Sequence, residues 1–303
     1  TDDTVAVAES FGAKIFYQDW QDNFSAPRNL ALSQATGDWI IFLDADEFFT
    51  NLTAKNIRMA IEQAEKFHKS GMLIYLVNID KNADNKILDT NYILRIFRNQ
   101  AGLHYVGKIH EEIRVGENIL GNLTFAPPNI LTLYHTGYSE SLNKSKAERN
   151  LKILLSELEE TDEPQRIYGY IAESYNGLED FINAEKFARL DIESGNTQKI
   201  FASRSYRIML NILANDFDRI DEREKFAQLA VKDFPKLPEF TAELAECFAL
   251  REDYQSAIET MQSALMKFKN YHELEPMQFD KNMAEFAENR IKLWREKLSL
   301  AGA

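Results

Sequence analysis

The stretch "DWIIFLDADEFF", Asp38–Phe49, is an apolar run that stops at three carboxylates, Asp44, Asp46 and Glu47. Trp39 to Leu43 holds five apolar residues with no alternation, the pattern of a central strand in a parallel sheet, buried on both faces. Ligands of such sheets bind at the carboxyl ends of the strands, so the acidic turn is the first candidate site. Asp44 and Asp46, two apart in an extended backbone, point the same way and offer hard oxygens to Mg2+ or Mn2+. Such an ion keeps room for phosphate oxygens and would seat a diphosphate on an otherwise repulsive acidic rim. A D-x-D in a solvated surface loop is the plainer alternative, and the surrounding sequence has to decide between them.

Working outward, residues up to about 140 mix short apolar runs with helical stretches and hold eight of the twelve glycines. Thr1 is placed to cap a helix carrying Val5, Ala8 and Phe11, and "AKIFY" reads as a strand. A helix over Ala26 to Gln34 precedes the apolar run, and another over Thr53 to Lys69 follows it. "GMLIYLV", "YILRIF", "KIHEEIRV" and "NILTLY" read as further strands, with Pro127-Pro128 marking a break before the last. The pattern is that of an α/β domain over residues 1–140.

From about Leu142 the strand signals vanish and the chain repeats itself. "EKFARLDI" (185–192) returns as "EKFAQLAV" (224–231), and "EDFINAEKF" (179–187) is echoed by "EDYQSAIET" (252–260), Ala184 answering Ala257. Small Ala at a helix crossing, an aromatic before it and Pro235 after a second helix are tetratricopeptide-like features. Residues 141–303 are therefore expected to form an all-α helical repeat domain, with Met283, Ala287, Trp294 and Leu298 as one stripe on a closing helix.

The net charge is -13, and the acidity is spread over both halves, which argues against a nucleic-acid groove or a surface for anionic lipid. The one cysteine, Cys247, excludes an intrachain disulfide and fits a reducing, cytoplasmic compartment; its plain reading is a buried small hydrophobe. No apolar run reaches the roughly 20 residues of a membrane span.

"NFSAPRNLALSQATGDWIIFLDADE" (23–47), "TDDTVAVAESFGAKIFY", "RIFRN", "YVGKIHEEI" and "LYHTGYS" together resemble the family 2 glycosyltransferases of GT-A fold. The resemblance is closest to the bacterial branch that carries tetratricopeptide repeats, including the sublancin-type peptide S-glycosyltransferases. It implies a Rossmann-like, mostly parallel sheet, and that the family's first two strands precede the part matched by "TDDTV", leaving the domain N-terminally incomplete here. It also implies that Asp44 and Asp46 hold the divalent ion bridging a nucleotide diphosphate, Asp46 being the direct ligand, and that Arg28 and Asn29 face the nucleotide or its phosphates. His135 in "YHTGY" would complete the metal site.

Glycosyl transfer with inversion needs a base for the acceptor proton. Glu111 is the candidate, with His110 either the base itself or its orienter, and Glu112 also open. An extended strand would turn His110 and Glu112 to one face and Glu111 to the other. Arg95 and Arg98, close in sequence to Glu111 and Glu112, are expected to pair with them, the alternative being contact with the acceptor, and Trp20 and Tyr105 are candidates for stacking on a sugar. The leading expectation is a metal-dependent hexosyltransferase acting from a nucleotide sugar, a UDP-sugar by preference, on a peptide, protein or glycan acceptor, with a homodimer as a candidate assembly. The alternative is a non-catalytic repeat scaffold with a relic transferase half.

Overall fold

The computed structural model describes residues 3–137, 143–195, 197, 201–273 and 275–301. Thr1 as a helix cap, Tyr138 of "YHTGY" and the border at 140/141 lie outside the described residues. The chain divides into two compact units, Thr1–Asn143 with Lys152–Glu157, and Lys144–Leu151 with Leu158–Ala303.

The first unit contains α1 (Thr4–Ser10), α2 (Ser25–Gln34), β1 (Trp39–Ile41), β2 (Glu47–Phe49), α3 (Asn51–Ala54), α4 (Ile57–Lys66), β3 (Gly71–Asp80), β4 (Lys86–Arg98), β5 (Leu103–Val106), β6 (Glu112–Val115), β7 (Asn118–Ile119), β8 (Leu123–Phe125) and β9 (Thr132–His135). The main sheet runs β1-β4-β3-β9-β2, with β8 also on β3, and β5-β6-β7 form a second, small sheet. The main sheet is mixed rather than mostly parallel: β3 runs parallel to β8 and β9, while β1–β4, β3–β4 and β2–β9 are antiparallel.

The central strand is β3, not the run at 39–43. Met72, Ile74 and Leu76 are buried with Leu131 and Leu133 against Ala60 and Ala64 of α4, while Val77 and Ile79 are buried as well. The uninterrupted apolar stretch "GMLIYLV" thus shows what burial on both faces looks like. β1 lies instead at the sheet's end, antiparallel to β4, with Ile41 and Leu43 each 40% exposed. "AKIFY" forms no strand, and the helix expected over 53–69 breaks into α3 and α4. The β3–β4 connection closes through Asp84 and Asn85, both left-handed at φ 53° and 56°, a conformation these two residue types tolerate best after glycine.

The second unit is helical. α5 (Asn143–Glu160) is shared by the two groups of residues; then come α6 (Tyr168–Gly177), α7 (Phe181–Glu193), α8 (Arg204–Ala214), α9 (Ile220–Asp233), α10 (Pro238–Leu250), α11 (Tyr254–Lys269) and α12 (Lys281–Ala301). Successive helices pack on one another from α6 to α12. The sequence repeat is a repeat of burial: Phe187 and Phe226 are each 7% exposed, and Ala188 and Ala227, like Ala184 and Ala257, are fully buried. Small side chains there let helix axes approach closely. Of the closing stripe, Ala287 and Trp294 enter the core against α11, joined by Ile291, while Met283 and Leu298 are 43% and 38% exposed. Cys247 is buried, and burial pushes its thiol up to about 12, so it packs as a small hydrophobe. No helix among the described residues is long and apolar enough to cross a membrane.

Candidate active site

The acidic segment is a turn, not an extended strand end. Glu47 N donates to Asp44 O at 3.0 Å, so the chain reverses across Ala45 and Asp46, and the two aspartates point to different partners. This corrects the expected shared direction of Asp44 and Asp46. Asp44 faces two guanidiniums: Arg28 Nη2 is 3.2 Å from its Oδ1 and Arg95 Nη2 is 2.7 Å from its Oδ2. Arg95, 6% exposed, also grips buried Glu47, through Nε to Oε2 at 2.9 Å and Nη2 to Oε1 at 2.6 Å. Arg95 thus pairs with Asp44 and Glu47 rather than with Glu111 or Glu112 as expected, and Arg98 pairs with Glu65.

Asp46 turns to His135. Glu47 and His135 are register partners in β2 and β9, which brings the imidazole beside the preceding residue, and Asp46 Oδ2 lies 3.1 Å from His135 Nε2. Thr136 fastens the turn by donating its N–H and hydroxyl to Asp46 O at 3.0 and 3.1 Å. Gly137 is packed against this pair: a Cβ there would lie 2.0 Å from Asp46 Oδ2 and 2.7 Å from His135 Nε2, a clash with both. Any side chain at position 137 would displace the carboxylate or the imidazole, so it is the glycine that lets the backbone pass this close.

Arg28 extends the site toward Glu111. It stacks its guanidinium on Phe42 at 4.6 Å and Tyr105 at 5.5 Å, and its Nε lies 3.4 Å from Glu111 Oε1. Asn29 ties the helix to β5, donating Nδ2 to Tyr105 O at 2.9 Å and accepting from Tyr105 N at 2.7 Å, so both ends of its amide serve the scaffold. Tyr105 is buried and burial pushes its hydroxyl up to about 12; it supports Arg28 and is not open to a sugar face. Trp20 is 53% exposed and donates to Asp22.

Glu111 does not lie on a strand. β6 begins at Glu112, and His110 is left-handed at φ 53°, so the alternation expected along "KIHEEIRV" does not hold there. The segment is held from both sides: Phe24 N donates to Lys108 O at 2.7 Å, and Lys108 N donates to Glu157 Oε2 at 2.8 Å. Glu112 takes a bond from Arg114 at 3.1 Å. Glu111 Oε1 is buried with no hydrogen-bond partner. Burial raises its carboxyl above the ordinary range, with Arg28 pulling the other way.

Three carboxylates, Asp44, Glu47 and Glu111, therefore share two guanidiniums, and Asp46 stands apart with His135. No group of three or more His, Cys, Asp or Glu side chains able to hold a metal occurs among the described residues. A Mg2+-type ion needs fewer, since it commonly takes one or two carboxylates and completes its shell with water and substrate phosphates. Asp46 and His135, an oxygen and a nitrogen 3.1 Å apart, fit that demand; Asp44 is engaged instead by Arg28 and Arg95.

Residues 1–114 match the family described as "Glycosyl transferase family 2". The first unit carries a family 2 glycosyltransferase domain. A protein of Synechococcus elongatus, "TPR repeat-containing protein Synpcc7942_0270", is 30% identical over 175 residues, 55% of this chain and 41% of that protein. The "SPbeta prophage-derived glycosyltransferase SunS" of Bacillus subtilis is 32% identical over 157 residues, 50% of this chain and 35% of that protein. The chain thus spans well under half the length of these curated relatives. Among solved structures, MamA of Desulfovibrio magneticus RS-1 aligns at a TM-score of 0.36 and 16% identity over 51% of this chain and 87% of that one.

Within this glycosyltransferase domain, sequence reasoning missed Glu47 as the partner of Arg95, Gly137 as the close approach to the Asp46–His135 pair, and Asn78 behind His135. The "HTG" triplet carried a signal for the second, since glycine next to a ligand-type residue marks close approach. Asn78 lies in an apolar run, and a lone buried Asn was the available sign.

Proposed function

We propose that the chain is a metal-dependent, inverting hexosyltransferase that takes its sugar from a nucleotide sugar, a UDP-sugar by preference. The observation that carries this reading is the Asp46–His135 pair, which sets a carboxylate oxygen and an imidazole nitrogen 3.1 Å apart. These two residues would hold Mg2+ or Mn2+, which supplies charge stabilisation to the departing diphosphate. Arg28, already stacked and oriented, offers a guanidinium to phosphate oxygens at the cost of its bond to Asp44. Arg95 and Glu47 keep the turn rigid while that exchange occurs.

Glu111 serves as base. The acceptor atom loses its proton to a Glu111 oxygen as it bonds to the anomeric carbon, and the bond from that carbon to the diphosphate oxygen breaks on the opposite side. A buried carboxylate with an unbonded oxygen is suited to this, because its raised proton affinity brings it nearer to the working pH. The residues 1–140 act as the transferase domain and 141–303 as the helical repeat domain. The acceptor is a peptide, protein or glycan, and stacked helix pairs favour a peptide. A bacterial cytoplasm suits both the single cysteine and the organisms of the relatives.

Titration calorimetry with UDP tests the reading. Mn2+ is expected to tighten UDP binding, and Asp46→Ala to abolish that dependence with the circular dichroism spectrum unchanged. Equal binding with and without Mn2+ would remove the metal from the mechanism, and no UDP binding in either case would favour the scaffold.

A further inference from the structure

Asn78 and Asp89 stand outside every motif of the transferase reading, yet the sheet lines them up with it. Asn78 of β3 is the register partner of Asp89 on β4 and of His135 on β9, and His135 is in turn the partner of Glu47 on β2. One rung across four strands thus ends next to Asp46. Asn78, 2% exposed, donates from Nδ2 to Asp89 Oδ1, and its Oδ1 lies 2.8 Å from His135 Nδ1.

A carboxylate oxygen accepts, so the Asn78 amide presents its NH2 to Asp89 and its carbonyl to the imidazole. The carbonyl accepts too, which requires the hydrogen on Nδ1. In the neutral ring Nε2 then carries the lone pair, and it is Nε2 that stands 3.1 Å from Asp46 Oδ2. Two lone-pair atoms at that separation repel each other unless they share a positive centre.

We propose that Asn78 and Asp89 are positioning residues that fix His135 as its Nδ1–H tautomer, so that Nε2 and Asp46 together receive a divalent cation. The inference rests on the metal-site reading above. A ligating imidazole held at its other nitrogen by a hydrogen-bond acceptor is a general way of fixing ring and tautomer. Here the acceptor is itself fixed by a second carboxylate, on an exposed strand position.

The test uses the full chain labelled with 15N-histidine at pH 8.5, read by long-range 1H–15N correlation without metal and then by titration with Mn2+ alone. Wild-type His135 is expected as Nδ1–H, with its signals broadened selectively by Mn2+. Asn78→Ala should move the hydrogen to Nε2 and weaken Mn2+ binding by about 10- to 100-fold. Asp89→Ala, at the surface, should give mixed tautomers and a smaller loss. Asn78→Asp combined with Asp89→Asn restores an acceptor toward Nδ1 and a donor at position 89, and should recover both readouts. Wild-type Nε2–H, or a tautomer unmoved by Asn78→Ala, overturns the positioning role while Mn2+ broadening would still uphold the metal site. Nδ1–H without Mn2+ broadening overturns the metal-site reading and the cation half of this inference with it.

Discussion

Arg28 lies between Asp44 and Glu111 and cannot satisfy both fully: it hydrogen-bonds Asp44 at 3.2 Å and leaves Glu111 at 3.4 Å without a hydrogen bond. Burial then dominates at Glu111 and raises its carboxyl. The folded chain binds that proton more tightly than the unfolded one, so the contribution of this group to stability is complete below its ordinary value and is lost as pH rises through the raised one. Glu111→Gln should therefore lower kcat by about 10²- to 10⁴-fold while leaving stability at pH 7 equal or higher, as measured by turnover and urea midpoint. The wild-type rate should also fall with acid at a higher pH than an exposed glutamate would dictate. Arg95 presents the opposite case, a buried charge fully engaged. Arg95→Met strands Glu47, 9% exposed, and should cost about 3–5 kcal/mol, whereas Arg95→Met with Glu47→Leu should recover most of it. A double-mutant cycle on urea midpoints reads the difference.

At the scale of elements, the helical repeat is built from one turn used twice. Glu179 and Glu252 are left-handed at φ 62° and 61°, and the aspartates after them, Asp180 and Asp253, accept from the N–H of Asn183 and Ser256 to cap α7 and α11. The left-handed glutamates were not legible in the sequence, because nothing in that residue type favours positive φ. Glu179→Gly and Glu252→Gly should each stabilise the protein by about 0.5–1 kcal/mol, read by thermal unfolding. Between α7 and α9, Arg189 and Arg219 each bridge Glu185 and Glu222. The bond from Arg219, seconded by Arg189, holds Glu185 down to about 2. Its stabilisation is complete above the ordinary glutamate value of 4.5 and is lost as pH falls through about 2, so Arg219→Gln should flatten the acid limb of the stability profile in that window. Helices were legible because their apolar spacing is local. The sheet was less so, since whether "WIIFL" or "GMLIYLV" takes the centre depends on partners far away in the chain.

Across the whole molecule, the acid-rich composition was read directly, and the pairing of Asp46 with His135, which are 89 positions apart, could be suggested only through family resemblance. Composition also bears on the capture of the proposed nucleotide-sugar donor. A net charge of -13 spread over the chain repels a nucleotide sugar at long range, and Arg28, stacked and partly covered, attracts it only near contact. Raising ionic strength from about 0.01 M to 0.15 M shortens the Debye length from about 30 Å to about 8 Å, which screens the distant charges far more than the guanidinium at the site. Association of UDP with the Mn2+-loaded protein should therefore speed up with salt over that range, the reverse of a protein that steers its ligand electrostatically. Stopped-flow association rates at fixed Mn2+ check this. A rate that falls with salt would mean that the local cations govern capture, and Arg28→Gln should then abolish the dependence.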